Sequence, residues 1–218
     1  MSKIFLIGAT GGVGSKLGPM LISAGHNVTA LHRKPEQATG LLAAGMTPCL
    51  GDLMQLTLDD FVNFTSNSDV IVFSAGAAGS GLERTSAIDG QAVIKAINAA
   101  KVNDISRFYL VSAFMDAGRD LETNKNFEHY MKVKRQADND LAASNLDWVI
   151  LRPGALTNQD GNGLVNVNLA IPFGPVSRSN VAAMLAELIE NPDIYREIIE
   201  ITDGETPIME AVSSLVRD

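Results

Sequence analysis

Tyr130 and Lys134 lie four residues apart in a polar segment with helical composition, and this spacing can support proton transfer. Residues i and i+4 of a helix share one face, so the phenol and the ammonium can point at one ligand. Reduction of a carbonyl needs a proton donor for the developing alkoxide, and a phenol with a pKa near ~10 serves poorly unless a neighbouring cation stabilises its phenolate. The pair is a candidate acid–base centre; the alternative is a half-packed tyrosine beside a solvated lysine.

A glycine-rich loop follows the first apolar run of the chain, residues 3–7. Apolar residues at helical spacing come next, and Gly25 stands where a helix C-cap is expected. In a strand–loop–helix unit, glycines allow close backbone approach to a pyrophosphate, and the first helical turn offers unpaired N–H groups. The sequence therefore predicts a dinucleotide site whose loop residues are Gly8, Thr10, Gly11, Gly12, Val13 and Gly14.

The residues after the second predicted strand indicate which dinucleotide is bound. Sites for NAD usually place a carboxylate there, whereas sites for NADP supply Arg or Lys to the 2′-phosphate. This chain has Arg33 and Lys34 at that place, and its first acid is Glu36. The sequence predicts NADP as the cofactor, with a solvated basic turn as the alternative.

Composition limits the classes of partner and compartment. The chain has 218 residues and a formal net charge of −8, which argues against nucleic-acid or anionic-membrane partners. No apolar stretch approaches the ~20 residues that span a bilayer. Cys49, the single cysteine, is expected in the core, and the three histidines lack metal-ligand spacing. We expect a cytoplasmic monomer or homodimer that binds a small-molecule substrate and no metal.

Strands and helices alternate along the chain. Apolar runs predict strands at residues 3–7, 27–31, 47–50, 69–73, 107–111, 147–151 and 197–201. Helical patterns occupy residues 13–24, 35–45, 57–62, 85–100, 125–144, 178–191 and 207–216. This order predicts an α/β fold, a Rossmann-like doubly wound parallel sheet with helices on both faces. Residues 1–218 are expected to form one NAD(P)-binding domain, with 154–180 as a loop-rich insert on the substrate side.

The chain resembles the short-chain dehydrogenase/reductase superfamily, and within it the small atypical group that is NAD(P)H-binding or epimerase/dehydratase-like. The stretches that carry the resemblance are residues 8–14, 134–138, 146–154 and 177–182. Ser112, Tyr130 and Lys134 stand in the catalytic order of the superfamily. The resemblance implies that Ser112 orients the carbonyl oxygen, Tyr130 is the acid–base group, and Lys134 tunes Tyr130 and holds the nicotinamide ribose.

The same resemblance implies further cofactor contacts. Asp52 and Leu53 correspond to the adenine contact, although a plain turn aspartate is an alternative. The run Ser74, Ala75 and Gly76 corresponds to the loop beside the ribose, with a tight turn as the alternative. Pro153 with Gly154 corresponds to the nicotinamide contact. The family's usual asparagine on the helix after the fourth strand has no assigned counterpart.

Two functions are compatible with these residues. The first is an NADP(H)-dependent oxidoreductase that acts on an unidentified small carbonyl or sugar-like substrate. The second is a non-catalytic regulator that senses NADP(H), because many members of the resembling group lack a complete catalytic set. The presence of Ser112, Tyr130 and Lys134 together favours the enzyme.

Overall fold

The computed structural model describes residues 1–115 and 124–216. Its strands are β1 (Lys3–Ile7), β2 (Asn27–His32), β3 (Thr47–Leu50), β4 (Val70–Phe73), β5 (Arg107–Val111), β6 (Asp147–Pro153), β7 (Ala155–Thr157), β8 (Leu164–Asn168), β9 (Pro175–Ser177), β10 (Glu197–Asp203) and β11 (Thr206–Pro207). In this part of the chain, nine strands form one sheet in the order β3-β2-β1-β4-β5-β6-β10-β8-β11. Strands β1 to β6 and β10 pair in parallel, and β8 pairs antiparallel with β10 and β11. The predicted parallel sheet is confirmed, with an antiparallel edge added to it.

Helices follow most of the parallel strands. They are α1 (Gly14–Ser23), α2 (Ala38–Ala43), α3 (Leu58–Thr65), α4 (Leu82–Arg84), α5 (Ala92–Val102), α6 (Lys125–Ala142), α7 (Arg178–Glu190) and α8 (Ile208–Ser213). A 3₁₀ turn covers Pro35–Gln37 and a π-helical turn covers Thr85–Gln91. Over residues 1–115 and 124–216, none of these helices has both the length and the apolar character needed to cross a membrane.

Alternation along the central strands produces a hydrophobic core on each face of the sheet. Ile4 and Leu6 of β1 join the cluster that packs against α1, α7 and α8. Phe5 and Ile7 join the opposite cluster, which includes residues of α3, α5 and α6. Successive side chains of a strand point to opposite faces, so a run buried on both sides must be apolar throughout. The helices on both faces predicted from the sequence are confirmed.

Side-chain caps fix the start of two helices that border the site. Asn124 Oδ1 accepts a hydrogen bond from the N–H of Phe127 at 3.0 Å, where α6 begins. Ser177 Oγ accepts from the N–H of Asn180 at 3.0 Å, where α7 begins. Such caps satisfy an N–H group that has no partner within the helix, and each contributes about 1 kcal/mol.

Two segments differ from the sequence expectation. The helix predicted over 85–100 begins as the π-helical turn Thr85–Gln91, and regular α-helix starts only at Ala92. Within the insert predicted as loop-rich, residues 155–177 contain three short strands, β7, β8 and β9. Each has three to five residues, which is too short to show a clear alternation, and each pairs with a distant segment.

Glycines bring the end of β1 and the start of α1 into contact. Gly8 has a φ of +90°, and a β-carbon there would lie 2.6 Å from the backbone nitrogen of Ala75 after β4. A β-carbon on Gly14 would lie only 2.1 Å from the carbonyl oxygen of Gly8. Contacts this close exclude any side chain, so these positions require glycine for the loop to fold against its neighbours.

We expect Gly14→Ala to lower the Tm far more than Gly12→Ala. The Gly8 carbonyl beside Gly14 is backbone, so overpacking should cost about 3 kcal/mol, or roughly 6–12 °C for a chain of this size. At Gly12 the nearest atoms, at 2.6 Å, belong to the long side chain of Arg178, whose two hydrogen bonds cost less to disturb than a backbone contact. Thermal unfolding followed by circular dichroism measures both variants, and equal shifts would contradict the packing described here.

Candidate active site

A cleft of about 1080 Å³ lies at the carboxyl ends of β1, β2, β4 and β5. Parallel strands end at one edge of the sheet, and ligands bind where the strand order reverses, here on either side of β1. The wall of the cleft contains most of the residues predicted for the site. They are Gly8, Thr10, Gly11, Gly12, Val13, Arg33, Asp52, Leu53, Ser74, Ala75, Gly76, Ser112, Tyr130 and Lys134.

Four predicted contacts are not part of the described wall: Gly14, Lys34, Pro153 and Gly154. Gly14 packs on the end of β1, as described above. Pro153 is buried at the end of β6. A β-carbon on Gly154 would lie 2.0 Å from the carbonyl oxygen of Gly174, so Gly154 serves a close contact between two backbone segments.

The glycine loop presents unpaired backbone donors. The N–H of Gly11 donates to the carbonyl of Gly8 at 2.9 Å, and the N–H of Ser15 donates to that of Gly11 at 3.0 Å. In the part of the chain that the structure describes, the N–H groups of Gly12 and Val13 have no acceptor. Free N–H groups at the start of a helix, together with the helix dipole, bind anions. The loop therefore fits the pyrophosphate of a dinucleotide.

Arg33 and Lys34 have different surroundings. Both backbone N–H groups donate to Gln37 Oε1, at 3.2 and 2.9 Å, which folds the chain after β2. The Lys34 ammonium lies 3.9 Å from Glu36 Oε1 in an exposed pair. Arg33 lines the cleft, and its guanidinium pairs with no other described residue. Of the two predicted cations, Arg33 is therefore the one placed to meet a bound phosphate.

The loops after β3 and β4 combine turn geometry with exposure to the cleft. Asp52 Oδ1 accepts from the N–H of Met54 at 3.0 Å, so the turn role considered for this aspartate is present. Asp52 and Leu53 also line the cleft. Ser74 Oγ donates to the carbonyl of Ile7 at 3.0 Å and ties the end of β4 to β1. The small residues that follow Ser74 leave this side of the cleft open.

A buried carboxylate, Asp138, holds the hydroxyl of Ser112. Ser112 Oγ donates to Asp138 Oδ1 at 2.5 Å. Arg152 Nε donates to Asp138 Oδ2 at 3.0 Å, and Arg152 Nη2 forms an ion pair with the same oxygen at 2.9 Å. Burial raises the pKa of Asp138, and the bonds from Ser112 and the charge of Arg152 oppose that rise. A hydroxyl has one proton. Because that proton is donated to Asp138, the lone pairs of Ser112 Oγ remain available to accept a hydrogen bond from a ligand in the cleft.

Lys134 is buried rather than solvated, which rules out the surface alternative for this residue. Its Nζ donates to the carbonyl of Val111 at 2.8 Å and lies 3.9 Å from Asp89 Oδ1. Asp89 Oδ2 accepts from the N–H of Ala77 at 2.9 Å. Burial lowers the pKa of Lys134, while the charges of Asp89 and Asp138 act in the opposite direction. Lys134 thus belongs to a buried network of charges.

The pKa of Tyr130 is raised, which is opposite to the direction expected from the sequence. Burial is the largest cause, and the carboxyl groups of Asp89 and Asp138 add to it. The expectation that Lys134 lowers the pKa of Tyr130 is wrong for this arrangement, because the ammonium is engaged by the Val111 carbonyl and faces Asp89. Tyr130 is a phenol, not a phenolate, at neutral pH.

Several residues of the site were not predicted, among them the charged residues Asp89, Asp138 and Arg178. Asp138 follows Lys134 by four residues and Tyr130 by eight, so continuing the i, i+4 spacing would have found it. Asp89 interrupts the apolar helical pattern that leads into α5, and an acid at such a position indicates a buried carboxyl group with a polar partner. Arg178 lines the cleft from the start of α7, and no local spacing indicates that contact.

Comparisons with known proteins show the family and the fold. A model of the NAD(P)H-binding family matches residues 8–192. The uncharacterized sugar epimerase YhfK of Bacillus subtilis is 34% identical over 215 residues, covering 98% of this chain and 100% of that protein. The structure of a Bacillus halodurans protein, named for NAD-dependent epimerase/dehydratase activity, matches with a TM-score of 0.90 at 31% identity, covering 98% and 100% of the two chains. The oxidoreductase ylbE of Lactococcus lactis matches with a TM-score of 0.83 at 27% identity, covering 98% and 96%.

We expect Asp138→Asn to destabilise the protein by about 2 kcal/mol, or roughly 4–8 °C in Tm. The substitution leaves Arg152 without its countercharge, and the cost is reduced because the Arg152 side chain keeps 18% exposure. Asp140→Asn is the matched control on the same helix, since among the described residues Asp140 accepts only an exposed hydrogen bond from Gln136. It should change stability by less than ~0.5 kcal/mol. Equal losses in the two variants, measured by urea unfolding, would argue against a structural role for the Asp138 pair.

Proposed function

The chain belongs to the NAD(P)H-binding family, and from this we propose that it is an NADP(H)-dependent oxidoreductase acting on a small carbonyl or sugar-like substrate. One observation carries the proposal. Ser112, Tyr130 and Lys134 line the same cleft as the glycine loop and Arg33. A proton donor and a dinucleotide loop that share one cleft are what reduction of a carbonyl requires.

The roles of the three residues follow from their bonds. The cofactor supplies the hydride when bound. Tyr130 donates its phenolic proton to the carbonyl oxygen as negative charge develops there. Lys134 has three N–H donors, of which Val111 takes one, so it retains donors for the ribose hydroxyls. Ser112 accepts a hydrogen bond from the substrate, because its own proton is directed to Asp138.

Because Ser112 accepts rather than donates a hydrogen bond at the cleft, it favours a substrate with a hydroxyl group. A lone pair recognises a hydroxyl, whereas a bare carbonyl oxygen would need a donor. The start of α6 contributes the amides of Asn124 and Asn126 to the wall, beside the apolar Phe127 and Leu156. Sugars present both polar edges and apolar faces, and the similar proteins named above include a sugar epimerase and an epimerase/dehydratase. We therefore place a hydroxylated aldehyde or ketone first among the substrates to test.

Tyr130→Phe should lower kcat for carbonyl reduction by about 100-fold or more, because it removes the proton donor. The Kd for NADPH should stay within about twofold. Since the pKa of Tyr130 is raised, Tyr130 remains protonated and the wild-type kcat should show no titration of this group below about pH 10. The assay follows NADPH absorbance over a panel of aldehydes, ketones and ketosugars.

Tyr195→Phe serves as the control for Tyr130→Phe, because Tyr195 is exposed and is not part of the described cleft wall. It should leave both kcat and cofactor binding unchanged. Equal turnover by Tyr130→Phe and wild type would remove Tyr130 from the mechanism.

Arg33→Ala should weaken NADP⁺ binding by about ten- to a hundredfold and leave NAD⁺ binding unchanged. Arg33→Asp should reverse the preference, because a carboxylate accepts from the 2′-hydroxyl and repels the 2′-phosphate. Lys34→Ala is the matched control and should have a smaller effect, since Lys34 faces Glu36 outside the wall. Titrations of NADP⁺ and NAD⁺ at one ionic strength measure the Kd of each variant for both cofactors. If Arg33→Ala weakens both cofactors equally, Arg33 does not recognise the 2′-phosphate.

A second candidate function is a non-catalytic regulator that binds NADP(H). The observation in its favour is that Ser112 and Lys134 are already engaged by protein groups and that the pKa of Tyr130 is raised. A regulator would bind NADP⁺ and NADPH with clearly different affinities, while no substrate accelerates NADPH oxidation. Turnover that depends on Tyr130 would exclude it.

A further inference from the structure

The side chain of Arg178 lies across the glycine loop. A β-carbon on Gly12 would be 2.6 Å from both the Cδ and the Nε of Arg178, and 3.7 Å from its Cζ. Arg178 also lines the cleft. The Arg178 side chain therefore lies against the loop in which the N–H groups of Gly12 and Val13 have no acceptor among the described residues, the position where an anion would bind.

The pairing of two short strands places Arg178 there. Strand β7 pairs in parallel with β9, with Thr157 opposite Ser177. Asn158 and Arg178 each follow the paired residue by one position, so they lie side by side. Arg178 Nη1 donates to Asn158 Oδ1 at 2.8 Å and to the carbonyl of Leu156 at 3.3 Å. The guanidinium is thus fixed from the substrate-side segment.

The charge of Arg178 has no counter-ion in the described residues. Its two acceptors, Leu156 and Asn158, are neutral, and both are bonded through Nη1. Within residues 1–115 and 124–216, Nε and Nη2 have no acceptor. These two atoms form the fork that binds carboxylates and phosphates in bidentate fashion. An unpaired fork on a half-buried side chain beside free backbone donors points to an anionic ligand.

We infer that Arg178 binds the pyrophosphate of the cofactor and couples it to the segment containing Leu156 and Asn158. The inference rests on the proposed binding of NADP(H). Arg33 and Arg178 then divide the recognition of the cofactor. Arg33 binds the 2′-phosphate and selects NADP over NAD, whereas Arg178 binds the pyrophosphate, which both cofactors share.

The test uses ligands that carry one phosphate group or the other. ADP-ribose has the pyrophosphate without a 2′-phosphate, and 2′-AMP has the 2′-phosphate without a pyrophosphate. Arg178→Met keeps an unbranched stem over Gly12 and removes the charge. It should weaken NADP⁺, NAD⁺ and ADP-ribose by the same factor, about ten- to a hundredfold, and leave 2′-AMP unchanged. Arg33→Ala should give the opposite pattern, with NADP⁺ and 2′-AMP weakened and ADP-ribose unchanged.

Isothermal titration at fixed ionic strength measures each Kd. Unchanged ADP-ribose binding in Arg178→Met overturns the inference. Equal weakening of ADP-ribose and 2′-AMP binding also overturns it, because that result would show general damage to the cleft. Arg178→Gln is a second neutral variant and carries the same test if the methionine variant does not fold. Failure of wild type to bind NADP⁺ and NAD⁺ would overturn the proposed function, whereas wild-type binding without an effect of Arg178→Met overturns only the inference.

Discussion

The close packing of α1 against the end of β1 is the constraint on which the site depends. Because Gly14 touches the carbonyl of Gly8, the helix starts immediately above the strand, and Gly12 and Val13, whose N–H groups have no acceptor among the described residues, line the cleft. The same closeness lets the loop after β4 pass over Gly8 and bring Ala75 to the wall. A longer connection would leave the helix dipole and the free donors away from the strand ends, where the other loops meet.

The second constraint is charge neutrality below the cleft. Asp89 with Lys134 and Asp138 with Arg152 are two carboxylates and two cations, and their charges cancel. Buried charges are costly unless they are paired and hydrogen-bonded, and each carboxylate here also accepts a bond from a neutral group, Ala77 N–H or Ser112 Oγ. The network fixes the direction of the Ser112 hydroxyl, and its two carboxyl groups add to the rise that burial causes in the pKa of Tyr130.

The sequence predicted what depends on local spacing. Strand–loop–helix order located the dinucleotide loop, and the i, i+4 pair Tyr130 and Lys134 proved to line one cleft with it. It did not predict the direction of the pKa shift of Tyr130, because that depends first on burial of the phenol and then on nearby carboxyl groups, one of which, Asp89, comes from the distant π-helical turn Thr85–Gln91. Arg178 was missed for a related reason. Its position is set by the β7–β9 pairing between distant segments, and each strand has only three residues.

The two ends of the cleft differ in how their charged side chains are paired. At the end formed by the loops after β1 and β2, Arg33 and Arg178 have no carboxylate partner among the described residues, although the chain as a whole carries −8. Such local excess of positive charge concentrates an anionic ligand where it is needed. Near Tyr130, by contrast, Lys134 faces Asp89 and Arg152 pairs with Asp138. Under the proposed function, an uncharged substrate can enter near Tyr130 without leaving Lys134 or Arg152 unpaired, and the anionic groups belong to the cofactor.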